Sequence, residues 1–182
     1  MSLVIPILLG TAREGRQSEK AARFVLEHMQ AREGIETLLI DPRDFLGSAQ
    51  TKAMPTEAAK RWSQTMARAD GLVIVTPEYN HGYPGELKLM LDQLYSEYAQ
   101  KAVAICGVSE GWTGGVRVVK QLVGIVHTLK MYPIRNALYF PNVGTLFDAE
   151  GQITDDRYVE MTQTMLDELV WLAEALKQKR ES

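Results

Sequence analysis

Five short apolar runs, each followed by a segment with helical spacing, restrict the fold of this chain more than any other feature. They are "LVIPILLG" (3–10), "IETLLI" (35–40), "GLVIVT" (71–76), "AVAICGV" (102–108) and "IRNALYF" (134–140). Short, nearly continuous apolar runs belong to strands buried on both faces, as in a parallel sheet covered by helices. The intervening segments carry apolar stripes at helical spacing. Ala22, Val25, Leu26 and Met29 form the first, and Ala59, Trp62, Met66 and Ala69 the second, behind Thr56 as a capping residue. Leu87, Leu91, Leu94 and Tyr98 form the third. A fourth helix, Val116 to Leu129, points Val119, Leu122, Val123 and Val126 inward. The last runs from Asp156 to Lys179 and buries Val159, Leu166, Leu169, Leu172 and Leu176.

The order βαβαβαβαβα contains no repeat, low-complexity tract or linker, and it predicts an α/β fold with helices on both faces of a parallel sheet. Right-handed crossovers leave few topologies. Five strands point to the flavodoxin-like order 2-1-3-4-5, which takes its ligand outside the carboxyl ends of the strands. The 182 residues fit one domain, 1–182. A net charge of −3 gives no electrostatic reason to expect nucleic acid or an anionic membrane. Cys106 is the only cysteine, so an internal disulfide is excluded, which suits a reducing cytoplasm. The apolar opening "MSLVIPILLG" lacks a basic flank and is far too short to span a bilayer. A soluble, cytoplasmic protein is expected.

Three loops fall at the predicted ligand-binding edge. The first, "GTAREGRQS" (10–18), has the two glycines of a triphosphate loop but Arg16 and Gln17 in place of its Lys and hydroxyl. No dinucleotide Gly-x-Gly-x-x-Gly is present either. What remains is Thr11, Ser18, Arg13, Arg16 and the amides of a helix start, a set suited to one terminal phosphate. The same residues also fit a plain glycine turn with Ser18 as helix N-cap. The second loop, "TPEYNHGYPGELK" (76–88), is stiffened by Pro77 and Pro84, while Asn80, Gly82 and Gly85 permit left-handed backbone. It can offer amides to the edge of a planar ring and a tyrosine face, from Tyr79 or Tyr83, to its surface. Its tyrosines fit ordinary packing on a neighbouring helix equally well, and Glu78 and His81 have no acid or metal-ligand partner nearby in sequence. In the third, "GVSEGWTGG" (107–115), four glycines allow close approach of a flat ligand and Ser109 can bond its polar edge. A flexible loop accounts for that composition too. His28, His81 and His127 show no metal-ligand spacing.

These three stretches, in this order, resemble the NADPH-dependent FMN reductase family, the flavodoxin-like group of quinone, azo-dye and chromate reductases. The likeness runs nearly the whole chain and is most specific at Pro77-Glu78-Tyr79-Asn80. The resemblance implies that Thr11, Arg13, Gln17 and Ser18, together with Arg16, hold the phosphate of non-covalent FMN. Pro77, Glu78, Tyr79 and Asn80 would line the isoalloxazine, largely through backbone amides, with Ser109 and Gly111 closing the other side. It also implies hydride transfer from NADPH or NADH to the flavin and ping-pong delivery of two electrons to a small-molecule acceptor, with no side-chain proton donor required. Homodimers or homotetramers follow from it as well; the Leu87–Tyr98 face and the tyrosine loop suit an interface, and each also fits ordinary core. The stretch 42–55 is less family-like and is expected to shape substrate preference. Three other readings compete: a flavodoxin-type electron carrier without NAD(P)H turnover, a nucleotide-binding switch, and a partner-binding domain. Arg13 and Arg16 with a small net charge speak against the first, and the missing phosphate-loop lysine against the second.

Overall fold

A computed structural model describes residues 2–46 and 56–182. Its elements in chain order are β1 (Leu3–Val4), β2 (Ile7–Leu9), α1 (Ser18–Gln30), β3 (Ile35–Glu36), β4 (Leu39–Ile40), α2 (Glu57–Arg68) and β5 (Gly71–Pro77). Then come α3 (Gly85–Asp92), β6 (Ala102–Val108), α4 (Val116–Thr128), β7 (Tyr132–Pro133), β8 (Leu138–Phe140), α5 (Val143–Leu146) and α6 (Arg157–Arg180). Every strand pairing is parallel.

Two of the five expected strands are interrupted and the last is shortened. Pro6 divides β1 from β2 because it has no N–H for the ladder. Opposite the break, Thr37 Oγ1 donates to Ile5 O at 2.8 Å, a side-chain substitute for a backbone rung between β3 and β4. Of the last expected strand, 134–140, only Leu138–Phe140 forms β8, and β7 lies before the expected start; between them the N–H groups of Arg135 and Asn136 turn to the Glu168 carboxylate, at 3.0 and 2.9 Å. Both pieces still run along β6. Taken as rows, the pieces lie in the order 2-1-3-4-5.

One core layer joins the sheet to α1 and α6, and the other joins it to α2, α3 and α4. The expected stripes are buried with five exceptions, of which Leu26 is partly buried against α1's core layer. Val123 and Val159 face solvent, at 42% and 41% exposure, while Leu172 and Leu176 only pack partly buried on the α6 layer. Leu87, Leu91, Leu94 and Tyr98 are core residues within the chain, so they are not free interface material, and the helix expected to carry them ends at Asp92. Tyr98 instead lies in a following 3-10 turn, where its hydroxyl accepts from Trp62 Nε1 at 3.0 Å. Of the stretch 42–55, residues 47–55 lie outside the described residues.

At the amino edge of the sheet, away from the loops of interest, charge is buried. Asp70 accepts from Val4 N–H, Lys177 Nζ and Arg180 Nη2, which ties α6 to the sheet. Lys101 lies nearby, 5% exposed, and its ammonium donates to Met66 O. Burial, reinforced by the Arg180 charge, pushes the Lys101 pKa down to about 8 from the usual 10.5. Between those values the unfolded chain holds more protons than the folded one, so stability rises with pH. Urea midpoints for the natural chain and Lys101→Met, compared from pH 7 to pH 10, will show the natural chain gaining on the variant as pH rises. Parallel pH profiles would mean that the Lys101 proton is not lost in this window.

Candidate functional site

The carboxyl ends of β2, β5, β6 and β8 open onto one cavity of about 760 Å³. Its walls come from the three loops named from the sequence, closed by Arg117 at the start of α4 and Val143 at the start of α5. Arg13, Arg16, Gln17 and Ser18 stand on one side. Pro77, Glu78, Tyr79 and Asn80 stand on the second, and Ser109 and Gly111 on the third. Thr11 is not on the wall: it is fully buried, and its Oγ1 accepts from Arg13 N–H at 3.2 Å, shaping the loop from inside.

The first loop leaves β2 at Gly10, whose N–H completes the ladder with Val75 O at 2.8 Å. A side chain there would put its Cβ 2.3 Å from Thr76 Oγ1, so this glycine serves strand packing rather than a phosphate. Gln17, not Ser18, occupies the N-cap position of α1, and it makes no side-chain cap bond. Ser18 already lies inside the helix, so its hydroxyl does not cap. That hydroxyl is buried and has no hydrogen-bond partner. Leaving a buried hydroxyl unpaired costs about 1–3 kcal/mol, which a ligand oxygen or amide would recover. Arg13 is exposed, has no carboxylate partner among the described residues, and lies 5.8 Å over the Tyr79 ring.

In the second loop, Tyr79 and Gly82 exchange backbone bonds of 2.9 Å across a two-residue turn. Its central residues, Asn80 (φ 49°) and His81 (φ 66°), are the left-handed ones, as a type I′ turn requires, whereas Gly82 and Gly85 are not left-handed. The amides expected to face a ring are therefore mostly engaged. Pro77 has none, Glu78 N–H donates to Val108 O at 2.8 Å, and Tyr79 N–H donates to Gly82 O. The Asn80 amide makes no backbone bond among the described residues.

The Glu78 side chain finds its partners within the protein. Its carboxylate, 7% exposed, accepts from the N–H groups of Arg117 and Val118 at 3.0 and 3.3 Å and from Arg117 Nη1 at 3.2 Å. It caps α4 from another element, at the end where the helix dipole favours negative charge. Gln121, one turn on, donates to His81 O at 3.0 Å. The first two turns of α4 thus hold the hairpin at its base and at its tip. Nothing in the local sequence signals this pairing across about 40 residues.

The third loop needs its glycines mostly for its own fold. Gly114 and Gly115 are left-handed (φ 64° and 87°) and fold back on β6. A Cβ at Gly107 would meet the carbonyl oxygens of Gly114 and Gly115 at 2.7 Å. Gly111 alone of the four is clear of backbone and lines the cavity. The Ser109 hydroxyl donates to Gly111 O at 2.8 Å, so its proton is engaged. The amides of Glu110, Gly111, Trp112 and Thr113 make no backbone bond among the described residues and form a run of donors beside the cavity. No cluster of metal-ligating side chains occurs among the described residues, and none of their helices is long and apolar enough to cross a membrane.

The profile of a family described as NADPH-dependent FMN reductase matches residues 4–145. The chain belongs to that family. Membership makes it an oxidoreductase and a flavoprotein that uses FMN and NAD(P)H. An NAD(P)H-dependent FMN reductase of Schizosaccharomyces pombe is 34% identical over 148 residues, 75% of this chain and 73% of the relative. A quinone reductase of Pseudomonas putida is 27% identical over 160 residues, 83% of this chain and 84% of the relative. The fold matches FerB, a flavoenzyme NAD(P)H:(acceptor) oxidoreductase from Paracoccus denitrificans, with a TM-score of 0.82 and 22% identity over 95% of this chain and 98% of that one.

The residues of this chain fit the cofactor its family implies. A phosphate needs hydroxyl and amide donors and a cation, and the Ser18 hydroxyl, the start of α1 and Arg13 lie together on one wall. A flat ring needs donors along one edge, and the amides of Asn80 and of Glu110 to Thr113 flank the same space.

Proposed function

We propose that this FMN-dependent NAD(P)H oxidoreductase passes two electrons to quinones, azo compounds, flavins or similar acceptors in a ping-pong cycle. The observation that carries the site assignment is the buried, unpartnered Ser18 hydroxyl on a cavity wall that also presents Arg13. FMN, when bound, supplies the redox chemistry, accepting hydride from NAD(P)H and giving two electrons to the acceptor. The chain's part is to bind and orient. Arg13, Ser18, Gln17 and the amides at the start of α1 hold the phosphate, on a loop that Thr11 shapes from within. The Asn80 amide and the donors from Glu110 to Thr113 take the polar edge of the ring, where fixed dipoles stabilise negative charge that develops on reduction. Ser109 shapes the same wall by donating to Gly111 O. Glu78 holds the Tyr79–Gly82 hairpin in place from beneath.

The three loops share one cavity, which supports donor and acceptor binding there in turn, the ping-pong order. No side chain is needed as a proton donor, because the cavity is open to water. Family resemblance also supports a homodimer or homotetramer, which light scattering will test.

The test uses protein loaded with FMN, desalted, and treated with NADPH and then NADH without oxygen. The expected result is retained flavin colour that bleaches promptly and returns on adding a quinone, with parallel double-reciprocal rate plots. Retained colour that neither nucleotide bleaches would make the protein an electron carrier. Loss of all flavin on desalting would return the three loops to purely structural roles.

A further inference from the structure

Arg16 stands on the cavity wall, yet its side chain is 2% exposed. All five of its N–H donors have partners inside the protein. Nε donates to Glu19 Oε2 at 3.2 Å, and Nη2 donates to the same oxygen at 3.1 Å. Nη1 donates to Thr11 O at 2.7 Å and to Asp41 Oδ1 at 3.0 Å, and Nη2 also donates to Asp41 Oδ2. A guanidinium has five such donors in one plane and no more. Two carboxylates already balance its charge, and each has a further cation of its own: Arg23 on Glu19 at 2.6 Å and Arg43 on Asp41 at 2.5 Å. Asp41 follows β4, the neighbouring row, and is not part of the cavity wall.

We propose that Arg16 is a positioning residue rather than a phosphate ligand, and that Asp41 is its anchor. Arg16 fastens the Thr11 carbonyl to the end of β4 and so holds the phosphate loop in its binding shape before FMN arrives. Asp41 then supports FMN binding without touching the cofactor. The inference rests on the reading that the loop from Gly10 to Ser18 holds the FMN phosphate. Lysine cannot substitute, because one ammonium cannot reach a carbonyl and two carboxylates in a fork.

The two roles for Arg16 predict opposite signs when Asp41 is neutralised. FMN affinity of the apoprotein is to be measured by flavin fluorescence for the natural chain, Asp41→Asn, Arg16→Lys, Arg16→Met and the Asp41→Asn/Arg16→Met double variant. Circular dichroism fixes a temperature at which each is folded. As a positioning residue, Arg16 requires Asp41→Asn to weaken FMN at least tenfold. Arg16→Lys should weaken it similarly, and Asp41→Asn should add less than twofold once Arg16 is Met. The salt dependence of FMN binding should keep its slope in Arg16→Met and lose part of it in Arg13→Ala, because only charges that touch the phosphate are screened with it.

Unchanged or tighter binding by Asp41→Asn would overturn the proposal, since the freed guanidinium would then be serving the phosphate. If Asp41→Asn does not fold, Arg16→Lys decides: binding within twofold of the natural chain overturns the proposal, and a tenfold loss upholds it. Failure of the natural chain to bind FMN would instead sink the functional reading itself, a different and separable result.

Discussion

Arg13→Ala raises the FMN dissociation constant by about 10- to 150-fold, the equivalent of about 1.5–3 kcal/mol for a hydrogen bond to a charged group. Arg13 is the cation on the loop that has no carboxylate partner among the described residues, whereas Arg16 is neutralised twice over. Its position over Tyr79 at 5.8 Å also fixes where its charge lies, at the junction of two cavity walls. The loss therefore falls on binding and not on folding. Because Arg13 is exposed, the apoprotein's melting temperature should stay within the small range usual for surface substitutions. Titration of apoprotein with FMN, followed by flavin fluorescence, measures the first quantity, and a thermal melt the second. Unchanged affinity would remove Arg13 from the phosphate site and leave the helix start as the binding element.

Gly107→Ala destabilises the fold by at least about 1–3 kcal/mol, the range for inserting atoms into a packed region. The added Cβ would lie 2.7 Å from two carbonyl oxygens, those of Gly114 and Gly115, and backbone cannot rotate aside as a side chain can. For a chain of this size each kcal/mol lowers the melting temperature by about 2–4 °C. The displaced segment carries the Gly111 wall of the cavity and leads directly into α4. Since Glu78 grips the start of α4, the disturbance passes to the hairpin, and FMN affinity falls together with stability. A melting temperature equal to the natural chain's would show that the third loop relaxes freely and is not held against β6.

The architecture was largely legible in the sequence because burial on both faces leaves a strong signal. Runs such as "GLVIVT" and "AVAICGV" became seven-residue strands with no exposed residue. The interruptions were harder to foresee. Pro6 is visible as a missing donor, but the Glu168 carboxylate that diverts Arg135 and Asn136 comes from a helix more than 30 residues away. The site was legible as three loops, since a parallel sheet delivers the loops after its central strands to one edge whatever their details. Ten of the eleven candidate residues line the cavity, and only Thr11 lies behind it.

The roles of individual side chains were not legible, because each depends on partners distant in the chain. Arg16 reads locally as a loop cation, and only the fold shows Asp41, 25 residues on, taking two of its donors. The Glu78 carboxylate has no partner nearby in sequence, and only the fold brings it to the first turn of α4. Gly10 and Gly107 read as ligand glycines, until the backbone and side chains they face fill the space. The order of apolar and polar residues thus determined the sheet, its two helical layers and the edge where the three loops meet, because solvent exclusion acts on pattern. Tertiary structure alone decided which charges are neutralised and which donors stay available. Hydrogen bonds and ion pairs act only over contact distances that the folded chain creates.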